Sequence, residues 1–456
     1  MSVDTISSAT EIVKEKNPFK GKTLQGILFK FSAPAVVGII VNALYNVADR
    51  AFIGHAMGPD GIAAITISFP LILFIMACSI MIGVGGSVLF SISLGKKGYK
   101  LAERVLGNTF VLLFIVVSLV VGIWELSMDH MLKLLGASKA VAPLAKAYMR
   151  IILIGAPIQA VGMGMNNFLR AQGRPLLAMF TMLIGAVINC ILGPLFIFYY
   201  QWGMEGAAWG VVLSQLVSAV WVCWHFVGKK ARFKLKFKNF VLKAKIVSKT
   251  LTIGSSQFVL NTAVSVLNVI LNLTLVGFGG DLAVSAMGIV SSVNTLIIMP
   301  VIGIGQGLQS IIGYYYGAKY YKRMLQFLKM GINWASGITL TGFIIVMLFA
   351  PYIVALFHRG TPELTHLASY ALRVFNICIP LVGFQIVAST FFQATERAGK
   401  AIILTLSRQI LLLIPLILIL PRIFGLNGIF ISGPVSDFAT AVLSFVFLRR
   451  EIKRYL

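Results

Sequence analysis

Asn42, Tyr45, Asn46 and Asp49 recur at i, i+3, i+4 and i+7 inside an otherwise apolar run near residues 31–55. On an α-helix that spacing gathers all four on one face, as a polar stripe. A carboxylate so placed can exchange a proton or hold Na+, because burial raises its pKa and a nearby cation lowers it. Arg50 does not share that face, since adjacent helix residues point apart. Ionisable groups at mid-membrane cost roughly 2.5 to 3.5 kcal/mol each on insertion scales, which makes Asp49 a candidate for ion-coupling chemistry. An inward-facing Asp that only hydrogen-bonds neighbouring helices is the alternative.

Two further constellations stand out. Arg408 and Asp437 lie in consecutive apolar runs, about 12 and 18 Å from the cytoplasmic ends at 1.5 Å per residue. Antiparallel neighbours can pair them, and an unpaired charge at that depth is very costly. The pair reads as a fixed structural bridge or as a second proton or drug site. A group of amides (Gln159, Asn166, Asn167, Asn189, Gln306, Gln309 and Gln385), with Asn268 in the second half, is either interhelical glue or the lining of a substrate cavity. Enzymatic chemistry finds no support: the five histidines are scattered, and there is no Walker loop or nucleophile elbow. The four cysteines are not spaced for a metal site or a disulfide framework.

These residues need a membrane scaffold. The chain has 456 residues, a mean hydropathy of +0.91 and only 12% charged residues, about half the fraction that a soluble domain carries. Apolar runs long enough to span lie near 31–55, 62–94, 107–127, 146–169, 175–200 and 206–228, and again near 250–277, 282–315, 326–350, 367–394, 401–420 and 425–448. The net charge of +25 sits in short clusters between these runs, among them Lys96, Lys97, Lys100 and Arg104, then the stretch 229–249, then Lys319, Lys322 and Arg323. Basic loops alternate with sparse ones, which is the positive-inside pattern and not a nucleic-acid footprint. Both termini are therefore expected in the cytoplasm, with no nucleic-acid partner.

The chain also repeats itself at an offset near 222. Gly58-Pro-Asp-Gly-Ile-Ala-Ala64 matches Gly280-Asp-Leu-Ala-Val-Ser-Ala286, and Leu94-Gly-Lys-Lys-Gly-Tyr-Lys100 matches Tyr316-Gly-Ala-Lys-Tyr-Tyr-Lys322. Phe168-Leu-Arg-Ala-Gln-Gly-Arg174 pairs with Phe391-Phe-Gln-Ala-Thr-Glu-Arg397, and Gly203-Met-Glu-Gly206 with Gly425-Leu-Asn-Gly428. An even number of helices per copy gives parallel repeats with a cavity between them. The predicted fold is all-α, with twelve transmembrane helices in two pseudo-symmetric six-helix lobes. The expected units are a tail over 1–26, an N-lobe over 27–228, a basic linker over 229–249, a C-lobe over 250–448 and a tail over 449–456. Leu271 stands where the first copy has Asp49, so coupling chemistry is expected in the N-lobe.

With these motifs in hand, the chain resembles the prokaryotic branch of the multidrug and toxic compound extrusion family over about 25–450. The specific pieces are Ala43-Leu-Tyr-Asn-Val-Ala-Asp49, Pro300-Val-Ile-Gly-Ile-Gly-Gln-Gly-Leu-Gln309, Gly313-Tyr-Tyr-Tyr-Gly-Ala-Lys319 and Ser407-Arg-Gln409. The resemblance implies a monomeric exporter in the prokaryotic plasma membrane, surrounded by lipid. It implies export of bulky, often cationic compounds or amphiphiles in exchange for H+ or Na+, with alternating access between lobes. No resident metal or cofactor is implied beyond the transported ion. Asp49 then matches the coupling carboxylate, Tyr45 the aromatic one turn below it, and Asn189 the asparagine of the fifth helix. Two positions depart from the pattern: Gly193 where many members carry Asp, and Val211 where Thr is common. Both departures remove oxygen ligands that a hard cation wants, which favours H+. A flippase for an amphiphilic lipid-linked precursor is the alternative function; it would call for a more cationic cavity than Arg408 alone supplies.

Overall fold

The computed structural model describes residues 23–135, 141–228, 231–357 and 362–455, and for residues 46, 47, 50, 51, 54, 59, 60, 62 and 134 the backbone only. Expectations for the tail 1–22, for Lys229 and Lys230 and for the side chain of Asn46 fall outside the described residues. The helices are α1 Leu24–Gly95, α2 Tyr99–Leu134, α3 Val141–Ala171, α4 Pro175–Pro194, α5 Gly203–Val227, α6 Ala244–Gly317, α7 Tyr321–Phe357, α8 Pro362–Phe375, α9 Ile379–Ala394, α10 Ala398–Leu406, α11 Ile414–Phe424 and α12 Leu426–Ile452. A π-turn, Ser407–Leu413, makes α10 and α11 one continuous span.

At 72 and 74 residues, α1 and α6 are far longer than one crossing requires. Each breaks at a glycine, Gly58 (φ 62, ψ −153) and Gly280 (φ 60, ψ −159), a backbone region open to glycine and strained for other residues. These two glycines are 222 residues apart, as are Lys97 and Lys319, and Gly203 and Gly425, all with positive φ. The repeat in the sequence is therefore a repeat of backbone turns. Among the described residues ten helices are long and apolar enough to cross a membrane, and α8 with α9, bent by 49°, makes an eleventh. The break at Gly280 splits α6 into two crossings, which completes twelve.

Helices run past the apolar stretches that mark them in the sequence. α1 already begins at Leu24, α6 begins at Ala244 so that Lys245 and Lys249 stand on its first turns, and α12 persists to Ile452. Basic residues at these ends suit a helix emerging from the bilayer, because their long stems lie along the helix while their charges reach water.

The two halves exchange helix ends. Ile27, Leu28 and Phe31 of α1 are buried with Leu308, Ile311, Phe327 and Phe391 of the second half. Reciprocally, Ile246 and Ile253 of α6 are buried with Ile82, Phe90 and Phe168 of the first. Glycines let the backbones cross there. A β-carbon at Gly254 would overlap the Met81 carbonyl, and one at Gly85 would overlap that of Thr250. Gly95 and Gly317 stand equally tight against Tyr314 and Ile92. The pseudo-equivalent crossing places Gly303 so that a β-carbon would lie 2.6 Å from Val36, and Gly307 2.9 Å from Ser32. All of these crossings lie toward the face with the basic loops, so the halves are sealed together on the side that the charge bias assigns to the cytoplasm.

The segment between the halves is seated on α2. Asn108 Nδ2 donates to the carbonyls of Asn239 (2.8 Å) and Val241 (3.0 Å), and its Oδ1 accepts from the Lys243 N–H at 2.8 Å. Lys236 pairs with Glu103 at 2.8 Å, and Phe240 stacks on Phe110 with centroids 5.5 Å apart. Asn108→Ala removes three hydrogen bonds and leaves backbone groups unmet, so a loss of about 2 to 4 kcal/mol is expected. A drop in the thermal unfolding midpoint of the purified protein measures it; an unchanged midpoint means the seat contributes nothing.

Candidate functional site

Asp49 stands on α1 between the buried crossing and the break at Gly58, with Tyr45 and Asn42 on the same face. All three are half-buried, and none is without an interaction partner. Asn189, on α4, is 3% exposed. Its Oδ1 is buried with no hydrogen-bond partner among the described residues. The oxygen points toward the crossing of α4 with α5, where a β-carbon on Gly210 would lie 3.5 Å from it. A buried acceptor without a donor carries a desolvation cost of about 1 to 3 kcal/mol, and a protonated carboxyl, a water or a cation can each relieve it. Gly193 lies one turn on, and a β-carbon there would meet no atom within 4 Å. Among the described residues no side chain fills the space beside Gly193.

The second charged constellation is in the other half. Arg408 Nε donates to Asp437 Oδ1 at 2.8 Å, with side chains 25% and 9% exposed. Gln385 Nε2 donates to the Asp437 carbonyl at 2.6 Å, and its Oε1 is buried without a hydrogen-bond partner among the described residues. The Arg408 carbonyl lies in the π-helical segment, and the Ser436 hydroxyl donates to it at 2.8 Å. Three helices, α9, the α10–α11 span and α12, are therefore tied around one ion pair.

The amides separate into two groups. Gln159 and Gln306 are half-buried, and Gln306 Oε1 has no hydrogen-bond partner among the described residues; Asn268 is exposed. These three remain available to a ligand. Asn166 and Gln309 are already engaged. Asn166 donates to the Ala178 carbonyl at 2.9 Å and accepts from Arg170 Nη1 at 2.7 Å. Arg170, which reads as a loop charge in the sequence, is instead 5% exposed, with its Nη2 donating to Asn167 Oδ1 at 2.6 Å. It sits on the last turn of α3, and that turn faces inward. Asn166 is consequently engaged in supporting a buried cation. Asn166→Ala leaves that cation with Asn167 as its one described acceptor, and an expected cost of about 2 to 3 kcal/mol follows. Arg170→Met in the same background removes the under-bonded buried charge and is expected to recover most of the loss in a thermal-unfolding measurement.

Gln309 donates to Gln393 Oε1 at 3.0 Å, and so does Gln257 at 3.2 Å, while Gln393 Nε2 donates to Ser256 Oγ at 2.9 Å. Gln393 escaped the reading of the sequence, although the motif pairing that aligns Phe168 with Phe391 aligns Arg170 with Gln393. Each half thus has a buried polar hub at the same place, a guanidinium in one and an amide in the other.

A family model described as MatE matches residues 34–195 and again residues 258–419. The multidrug export protein MepA of Staphylococcus saprophyticus is 24% identical over 434 residues, covering 95% of each chain. MepA of Staphylococcus aureus strain MSSA476 is 25% identical over 429 residues, covering 93% of this chain and 94% of the relative. Among solved structures, the outward-facing conformation of a multidrug resistance MATE family transporter of the MOP superfamily superposes with a TM-score of 0.90 at 25% identity, over 97% of this chain and 98% of that one. The doubled match coincides with the two halves that the backbone turns define, and together with the twelve crossings it places this chain in the MatE family, as a multi-pass membrane transporter of the MepA type.

Proposed function

We propose that the protein is a secondary antiporter of the inner membrane. It exports bulky organic cations or amphiphiles in exchange for inward H+, by alternating exposure of a cavity between its halves. The observation that carries this reading is the half-buried carboxylate of Asp49, which has no acidic counterpart at the pseudo-equivalent Leu271. The family and the relatives named as multidrug export proteins support drug efflux.

In this reading Asp49 takes up the ion, Tyr45 and Asn189 tune it, and the half-buried or exposed amides Asn42, Gln159, Gln306 and Asn268, with Asn46, line the substrate path. H+ is favoured over Na+ because Gly193 and Val211 offer no side-chain oxygen, and Na+ needs several. Movement would proceed by parting the glycine crossings on the basic face. Reconstituted vesicles loaded with an ethidium-like cation test the proposal, with pH and Na+ gradients imposed separately. Efflux driven by the pH gradient alone is expected; efflux that follows Na+ and ignores pH overturns the assignment of the ion.

A further inference from the structure

The two pseudo-equivalent corners on the basic face carry different side chains. In the first half the turn after Gly95 carries Lys96, Lys97, Lys100 and Arg104, and the linker lies over it. Phe233 is 4% exposed, packed on Phe90 (5.2 Å) and Tyr99 (6.3 Å), and Lys236 reaches Glu103. Moving on by the repeat offset takes Lys97 to Lys319 and Lys100 to Lys322, but takes Glu103 to Leu325 and Asn108 to Met330. The acid and the amide that seat the linker are absent from the second corner, and a new cation, Arg323, stands in place of Leu101.

What remains at the second corner is a cavity of about 410 Å3 lined by Lys319, Tyr320, Tyr321, Lys322, Arg323 and Tyr455. Among the described residues none of its three cations lies within ion-pair distance of a carboxylate. The acid behind it is occupied: Glu451, fully buried, is held by Lys400, by Arg397 at 3.3 Å and by Arg454 at 3.7 Å. Tyr455 donates to the same carboxylate at 3.2 Å. Burial, with the Glu451 carboxylate, pushes the Tyr455 hydroxyl above its usual pKa, so it remains neutral. Tyr321 packs on Tyr455 at 5.0 Å, and Tyr320 is 64% exposed at the rim.

We propose that this corner binds the phosphate head group of an anionic phospholipid from the leaflet on the basic side. The charge is complementary: three cations line one open pocket, and among the described residues none of them pairs with a carboxylate. The level is right, because the cavity is framed by the end of α6 and the start of α7, where spans leave the hydrocarbon and tyrosine rings favour the interface. Basic pockets at this depth are the kind that hold anionic head groups. A lipid also accounts for the exposed Tyr320 ring, which can lie along the glycerol and upper acyl region, as a soluble phosphate cannot.

The test uses the full chain in detergent. Phosphatidylglycerol, phosphatidylcholine and inorganic phosphate are titrated separately while thermal unfolding is followed. Phosphatidylglycerol is expected to raise the midpoint saturably, and the other two to leave it in place. The variant Lys319→Gln/Lys322→Gln/Arg323→Gln, altered only at exposed side chains, should keep the lipid-free midpoint and lose apparent affinity for phosphatidylglycerol about a hundredfold, on the order of fivefold per cation. The matching variant at the first corner, Lys96→Gln/Lys97→Gln/Lys100→Gln, should retain the response. A shift equal to that of phosphatidylglycerol from inorganic phosphate would assign the site to a soluble anion and overturn the proposal. Equal losses in the two variants would reduce it to a general basic belt, and the absence of any saturable shift would also reject it.

Discussion

Asp49→Asn is expected to abolish gradient-driven export while leaving the protein folded and in the membrane. The amide preserves the shape of the side chain and most of its hydrogen-bonding capacity, and Asp49 is only half-buried, so the fold loses little. What disappears is titration. One unit of pH gradient carries about 1.4 kcal/mol per proton, and a transporter that cannot bind the proton cannot draw on it. Substrate should then equilibrate across vesicles and no longer accumulate, whatever pH gradient is imposed. A variant that still concentrates substrate against its gradient would place the coupling group elsewhere. Asp437 is the control worth pairing with it. Asp437→Asn should lower stability first, by leaving Arg408 without its carboxylate, and should spare the coupling of whatever protein survives.

The second large effect is steric. Gly254→Leu places a side chain where the backbone of Met81 already passes. No rotamer relieves that overlap, because the offending atom is the β-carbon itself and its neighbour is main chain. The crossing must open or the helices must shift, at a cost of about 3 kcal/mol or more. That is a change on the order of a hundredfold in the ratio of sealed to opened forms. A cysteine at Ser91, which is buried against Gly313 between that crossing and the end of α1, should become accessible to a membrane-impermeant thiol reagent from the basic side. Protection equal to that of the parent would mean that the crossing does not seal this face. Gly337→Leu is the matched control, since a β-carbon there meets no atom within 4 Å.

Fold and site were not equally legible. The duplication can be read directly because its turns depend on local backbone chemistry: Gly58 and Gly280, or Gly203 and Gly425, are required by positive φ wherever the rest of the chain goes. The pairing of Arg408 with Asp437 is equally accessible, since two charges at similar depth on consecutive helices have few other partners. The supports are harder to see. Nothing local distinguishes Asn108, three-fold bonded to the linker, from an amide facing lipid or water. Arg170 lies one turn from a loop, and a count of loop charges cannot tell whether that turn faces out or in. Asn166 and Gln309 are indistinguishable in sequence from free amides for the same reason, as their partners are far away in sequence or belong to another helix.

Gly95 and Gly317 occupy the same place in the two copies, and they meet: a β-carbon on the first would lie 3.0 Å from the carbonyl carbon of the second. A residue that touches its own image lies on a rotation axis. In a dimer of identical chains any enlargement at that position would collide with itself, and every acid on one side would be matched by an acid on the other. Joining the copies into one polypeptide lifts the second constraint and keeps the first, which is why the axis still carries a glycine from each half while the equivalent positions 49 and 271 hold aspartate and leucine as unlike twins.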